Sequence, residues 1–554
     1  MAAPLSSSGL KERKADKTSS LERTNTKEYV DTASIASDDA HRFASTKAHH
    51  GGTIGTALFI YMGSGLTNGG PANLLMAYAA WSSVIWAVAE CQIEMVCQWP
   101  TDSAFTRNAA RYIDDAAGFA TGWNFWLSQQ ALVIFEVVSF GLILGYWPSS
   151  QDVNAAVYIT IMIVAYIAIN VWTARGFANA EFGMAMGKLI LIVSLLLFTF
   201  IAMLGGNPQG DRFGFRYWKN PGAFTTPYPE HPRGVGRFEG FLACVINACF
   251  TVAGPDYLSM VAGEARQPRK VMRRAFKTTV YRLIIFFIGS ALAIGVLVPF
   301  DDANLLGAQS SGAPGGAQSP YVIGMRRLGI SVYPDIVNAL ILTSVFSAGQ
   351  AFTFGASRSL ASLARDGQAP KFFARRNRNG VPYVAVLATM VLALLSYCQV
   401  SSTAAVVIEY LTGLVGSCQL VNWIVMSWSW IRWNSGLKAQ GISRETLPVR
   451  SRFQPFAAWY ALVASILVIL MQGYGVFLKG YWNTQSFIFS YFAPALFAVL
   501  FVGWKIIKRT TYYKPSEMDV TSFVNDPEFT EDQAYDAERG RIGSIVHKGL
   551  SKVF

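Results

Sequence analysis

"NACFTVAGPDYLSM", residues 247–260, sets an apolar helical pattern against its own backbone. Ala253, Gly254 and Pro255 fall in the middle of a run that otherwise reads as one continuous rod. Proline removes a backbone N–H and clashes with the preceding turn, and glycine holds a helix poorly. A matching weakness lies five apolar runs upstream, in "AHHGGTIGTALFIYMGSGLTNGGP" (residues 48–71). There Gly51, Gly52 and Gly55 head the stretch, and Gly63, Gly65, Gly69 and Gly70 lead into Pro71.

The surrounding composition says what medium these rods occupy. The chain has 554 residues, 52% hydrophobic and 14% charged, with mean hydropathy +0.31. Soluble chains carry about 25% charged residues, so the balance points to a membrane protein. Residues 186–204, "MGKLILIVSLLLFTFIAML", hold one charge in nineteen positions, and residues 283–300 hold none. About 20 apolar residues cross a hydrocarbon core. Twelve such helices are expected, at 52–71, 73–98, 118–147, 155–174, 180–204, 238–258, 279–299, 334–356, 383–400, 403–431, 456–478 and 486–507.

The net charge of +12 does not indicate nucleic acid, because its placement is a topology signal. Basic clusters lie at 266–277, 358–378, 432–452 and 505–509. With twelve crossings all of these share one side, which the positive-inside rule makes cytoplasmic along with both termini. Contact with membrane lipid headgroups accounts for them. Residues 1–48 are polar and read as a disordered cytoplasmic tail without a signal peptide, and 510–554 read as a second tail. Lys11, Lys14, Lys17 and Lys27 are available there to ubiquitin-ligase machinery, or are solvated charge with no such role. The six cysteines sit inside apolar runs without zinc spacing and read as small buried hydrophobes. No metal cluster, phosphate loop or Ser–His–Asp pattern suggests an enzyme or a cofactor.

Breaks in the first and sixth helices, five apart, point to an inverted-repeat secondary transporter. Half-helix N-termini present free N–H groups to an anion, and freed carbonyls suit a cation. An α-amino acid carries both charges. The competing reading is that the glycines only permit tight helix packing.

At these motifs the chain resembles the fungal amino-acid permeases of the amino acid–polyamine–organocation superfamily, from about residue 51 to 514. "GGTIGT…LF…GGP" (51–71) is similar to the family's first-helix motif, and "GFATGWNFW" (118–126) to its third-helix signature. "AGEARQPRKVMRRAFK" (262–277) resembles the loop after helix six. "ASRSLASLARDGQAPKFF" (356–373) with "GVP" (380–382) resembles the stretch after helix eight. The resemblance implies an all-α integral membrane protein of about twelve transmembrane helices, in a 5+5 inverted-repeat fold plus two C-terminal helices. The permease domain would span 49–509, with repeat one at about 51–204, repeat two at about 238–431, and the extra helices at 456–507. It also implies proton-coupled amino-acid uptake across the plasma membrane. Ile54, Gly55 and Thr56 would face the substrate carboxylate, and Phe250 would gate it. Ala253 and Gly254 would offer carbonyls to its ammonium. Asp256 stands where the family usually has glutamate.

Lys188 is taken as the lone charge of the fifth span, where intramembrane charge marks function by default. It either carries a proton or braces helices one and eight. Glu136 in helix three either serves in proton coupling or selectivity or makes a structural hydrogen bond. Glu94, near the cytoplasmic end of helix two, reads as structural. Relatives place an apolar half-turn before the glycine pair, whereas "STKAHH" abuts it here, so the first helix is short or lacks residues in the gene model. Ala57 and Tyr61 occupy positions usually held by glycine, and Gln350 replaces a common asparagine. The alternative from another class is a non-transporting amino-acid sensor using the same pocket; a third, weaker possibility is a polyamine or choline carrier.

Overall fold

The computed structural model describes residues 55–172, 174–260, 262–264, 268–310, 319–400 and 404–521. Ile54, the glycine pair, His49 and His50, and the tail lysines lie outside the described residues. Within them every regular element is helical. The principal helices are α1 (Ala57–Gln98), α2 (Ala104–Tyr112), α3 (Asp115–Leu144), α4 (Ala155–Trp172), α5 (Ala174–Met203), α6 (Arg233–Thr251) and α7 (Pro255–Met260). They continue with α8 (Pro268–Leu297), α9 (Tyr333–Arg365), α10 (Tyr383–Ala393), α11 (Ala404–Ala439), α12 (Phe456–Met471) and α13 (Thr484–Lys508). Seven spans are long and apolar enough to cross a bilayer, α6 and α7 together forming one of them. The chain is therefore a multi-pass membrane protein.

The expected helices at 52–71 and 73–98 meet at a kink at Gly70, whose φ of 79° ends the first rod just before Pro71 begins the second. Glycine is required at this corner. A Cβ there would lie 2.9 Å from the Ala223 carbonyl oxygen and 3.0 Å from the Phe224 Cα. The segment between α5 and α6 that crowds it also satisfies the opened backbone: the Ala72 N–H donates to the Ala223 carbonyl at 3.0 Å, and the Thr225 N–H to that of Gly69 at 3.1 Å.

Several helices outrun their apolar windows. The rod expected at 279–299 begins at Pro268, and the one at 334–356 runs to Arg365. Arg and Lys are good helix formers, so the basic flanks continue the rod past the lipid. The helix expected at 383–400 changes to 3₁₀ geometry over Leu394–Val400, and the one at 456–478 ends at Met471. The short amphipathic α2 was not anticipated.

The largest contacts join α3 to α9 and α11, and α1 to α6. α3 and α6 are mostly enclosed, while α5 and α13 turn apolar faces outward, as at Ile190 (61% exposed), Val499 (68%) and Ile507 (75%). Such surface is favourable only against lipid. Residues 510–521, read as tail, dock on the bundle. Met518 and Val520 are buried in a cluster with Trp430, Trp433 and Leu437, and Asp519 pairs with Arg111 at 2.7 Å.

Glu94 is fully buried and fully bonded. Its Oε1 accepts from Arg444 at 2.5 Å and from the Ser451 N–H at 2.7 Å, while Oε2 accepts from Trp430 Nε1 at 2.8 Å. Removing one partner of a buried pair costs about 3–5 kcal/mol because the remaining charge is stranded. Arg444→Ala should therefore lower the melting midpoint of the detergent-solubilised protein clearly. An unchanged midpoint would remove Glu94 from the structural framework.

Candidate functional site

The described part of α1 opens at Gly55 and Thr56, before a π-helical turn over Ala57–Tyr61. Wide turns of this kind free carbonyls, and side chains from other elements take them up. Ser319 Oγ donates to the Phe59 carbonyl at 2.9 Å, Asn247 Nδ2 to that of Tyr61 at 2.9 Å, and Cys244 Sγ to that of Gly65 at 3.1 Å. Asn247 is held in turn by the Tyr78 hydroxyl at 2.7 Å, which also bonds Thr251 Oγ1 at 3.0 Å. One side of the site is thus a polar staple between α1 and α6.

The sixth rod opens where its sequence demands. α6 closes with the Val252 N–H on Ala248 at 2.8 Å, Val252 is extended, and α7 restarts at Pro255. Ala253 lies in the gap. The Gly254 carbonyl already accepts the Leu258 N–H at 3.2 Å, so one of its two lone pairs is committed to α7. Asp256 sits in the first turn of α7, 1% exposed. Its Oδ1 has no hydrogen-bond partner among the described residues. The adjoining Tyr257 hydroxyl accepts from Gln129 Nε2 on α3 at 3.1 Å.

Glu136 of α3 is 2% exposed and meets the head of α1. Thr56 Oγ1 donates to its Oε2 at 2.5 Å, and the Thr56 backbone N–H is directed to the same carboxylate. Gly55 is packed so closely that a Cβ would fall 2.6 Å from Glu136 Oε1 and 3.1 Å from the Ala348 Cβ on α9. Lys188 of α5, 1% exposed, faces Glu136 electrostatically. Gly55, Thr56, Glu136 and Lys188 therefore form one buried group. Phe250 lies edge-on to Tyr61 (centroids 5.0 Å apart) and to Phe135 (5.1 Å), giving an aromatic wall. Gln350 is fully buried on α9.

One expectation needs correcting. Lys188 is not alone in its span, because Glu181 on the same helix is 3% exposed and also faces it. It was overlooked because it sits at the polar edge of the apolar window. Asn247 was overlooked too: a single amide in an apolar run gives no sign of what it will bond. Among the described residues no three His, Cys, Asp or Glu side chains converge as metal ligands.

Comparison with known proteins places these features. The amino acid permease family model matches residues 49–514. The chain is 40% identical over 484 residues to the general amino acid permease AGP2 of Saccharomyces cerevisiae, covering 86% of this chain and 80% of that one. It is 37% identical over 473 residues to a proline-specific permease of Emericella nidulans, covering 85% of each. It is 34% identical over 492 residues to the lysine-specific permease of Saccharomyces cerevisiae, covering 88% of this chain and 79% of that one.

Overpacking a tight core costs about 1–3 kcal/mol. Gly55→Ala should destabilise the protein on that scale by pushing the Glu136 carboxylate off Thr56. Glu136→Ala should relieve the clash, so a double-mutant cycle by thermal melting should show strong coupling. Additive effects would mean that the two residues do not touch.

Proposed function

The chain belongs to the amino acid permease family, and from that premise we propose that it imports amino acids together with protons by alternating access. The reading takes the rods as twelve crossings, the first ten in two inverted five-helix repeats, with both termini in the cytoplasm of a plasma-membrane protein. The observation that carries it is the buried Thr56–Glu136 contact, 2.5 Å long, at the head of α1.

A zwitterion needs an anion site and a cation site. The head of α1, with the Thr56 hydroxyl and amide, suits its carboxylate, while the Ala253–Gly254 gap and Asp256 suit its ammonium. The polar end of the anion site is occupied by Glu136 itself. Two carboxylates at one set of donors repel strongly in a low-dielectric site. A proton on Glu136 removes that repulsion and releases Thr56 to the incoming carboxylate. Substrate binding and proton binding then favour one another, which is the linkage a symporter requires. Lys188 stands beside this exchange and holds the balance of charge. Ile54 would extend the carboxylate site from the preceding turn.

Side-chain preference is set by the aromatic wall. Tyr61 fills space against Phe250, so small or flat side chains are favoured over bulky ones. Relatives named for proline, for lysine and for amino acids in general leave the substrate to be found by assay.

The test is uptake of a labelled amino-acid panel in permease-deficient cells at two external pH values. Uptake should rise as the outside becomes more acidic, because the proton must reach Glu136 first. In Glu136→Gln, which mimics the protonated acid, that pH response should shrink by about tenfold. Uptake indifferent to pH in the wild type would overturn coupling, and uptake of no amino acid would overturn transport.

A further inference from the structure

We propose that Glu181 is the inner proton-carrying residue of a three-group cluster with Lys188 and Glu136, an inference that rests on the proton-symport reading above. Two buried carboxylates in this protein show why. Glu94 receives three donors shared over both oxygens. Glu181 is as deeply buried, yet only its Oε2 is bonded, by Ser347 Oγ at 2.8 Å, and its Oε1 has no partner among the described residues. A brace is saturated with donors, whereas a buried carboxylate with an unmet oxygen has room for a proton.

Placement makes that room useful. Glu181 and Lys188 are seven residues apart on α5, two turns along one face. Helical side chains lean toward the N-terminus, so Lys188 reaches back toward Glu181 while also facing Glu136. Tyr166 of α4 faces both carboxylates, and its hydroxyl has no partner among the described residues. Lys188 acts on Glu181 electrostatically, and α9 contributes the Ser347 hydroxyl. Three consecutive residues of α9 hold the cluster together. Ser347 bonds Glu181, Ala348 abuts Gly55, and Gly349 lies directly beneath the Tyr166 hydroxyl.

The charge balance points the same way. Two carboxylates and one ammonium leave the cluster at net −1, and a single added proton makes it neutral. The neutral form is the one that is cheaper to enclose away from water. Glu136 touches the substrate site, whereas Glu181 lies two turns from Lys188 toward the N-terminal end of α5, the end that the reading above places at the cytoplasm. A proton taken up at Glu136 can therefore leave through Glu181, with Lys188 screening whichever carboxylate is ionised.

The test uses the purified full chain in proteoliposomes and a radiolabelled mixture of the proteinogenic L-amino acids. Exchange at equal pH on both sides needs no net proton movement, whereas accumulation driven by an outward-acid gradient does. Glu181→Gln should lose about tenfold or more of the driven accumulation while exchange falls far less, and Glu181→Asp should recover part of the drive. Wild-type-like driven accumulation in Glu181→Gln would overturn the role of Glu181 and leave symport standing. Equal loss of exchange and accumulation, the pattern expected of Glu94→Gln, would make Glu181 a brace and overturn the proposal. A wild type that ignores the gradient would overturn proton symport itself, and the relay with it.

Discussion

A peptide group released from a helix inside hydrocarbon must find another partner, at a cost of several kcal/mol if it does not. This protein releases such groups at the head of α1, at Gly70 and across Val252–Gly254, and much of the remaining architecture answers those releases. The segment at Ala223–Thr225 closes the Gly70 corner. Ser319 and Asn247 donate to carbonyls of the wide turn of α1, and Cys244 to the Gly65 carbonyl beyond it. The bundle must therefore bring α6, the segment before it and α1 together before any of the breaks can be tolerated.

Buried ionisable groups divide along the same line. Near the C-terminal end of α1, Glu94 is saturated by Arg444, Trp430 and the Ser451 amide, and it ties α1 to α11 and to the segment after it. In the interior, Glu136, Lys188 and Glu181 share far fewer donors. A carboxylate that joins elements is strongest when every lone pair is met, and under the proposed symport one that changes its charge cannot be locked into one ionisation state.

The aromatic residues give the site its walls rather than its charge. Tyr61 and Phe135 grip the Phe250 ring from two sides, and Tyr257 packs between Phe125 and Phe352. The Tyr61 ring sets the volume beside Phe250, while its backbone carbonyl belongs to the polar staple through Asn247.

The order of apolar runs and the Ala-Gly-Pro interruption needed only local chemistry, so the sequence by itself determined the helical membrane architecture and the break in the sixth rod. Helix ends were less legible, because arginine and lysine carry a helix past the hydrophobic window that marked it. Glycine and proline mark the corner between two rods at Gly70 but not how the neighbouring segment closes it. What only the tertiary structure decided is partnership. Glu136 meets Thr56 across 80 positions of chain, Asn247 meets Tyr61, and Glu181 meets Ser347. Those pairings arise from how the rods pack, and a sequence records the donors and acceptors without recording which of them will face each other.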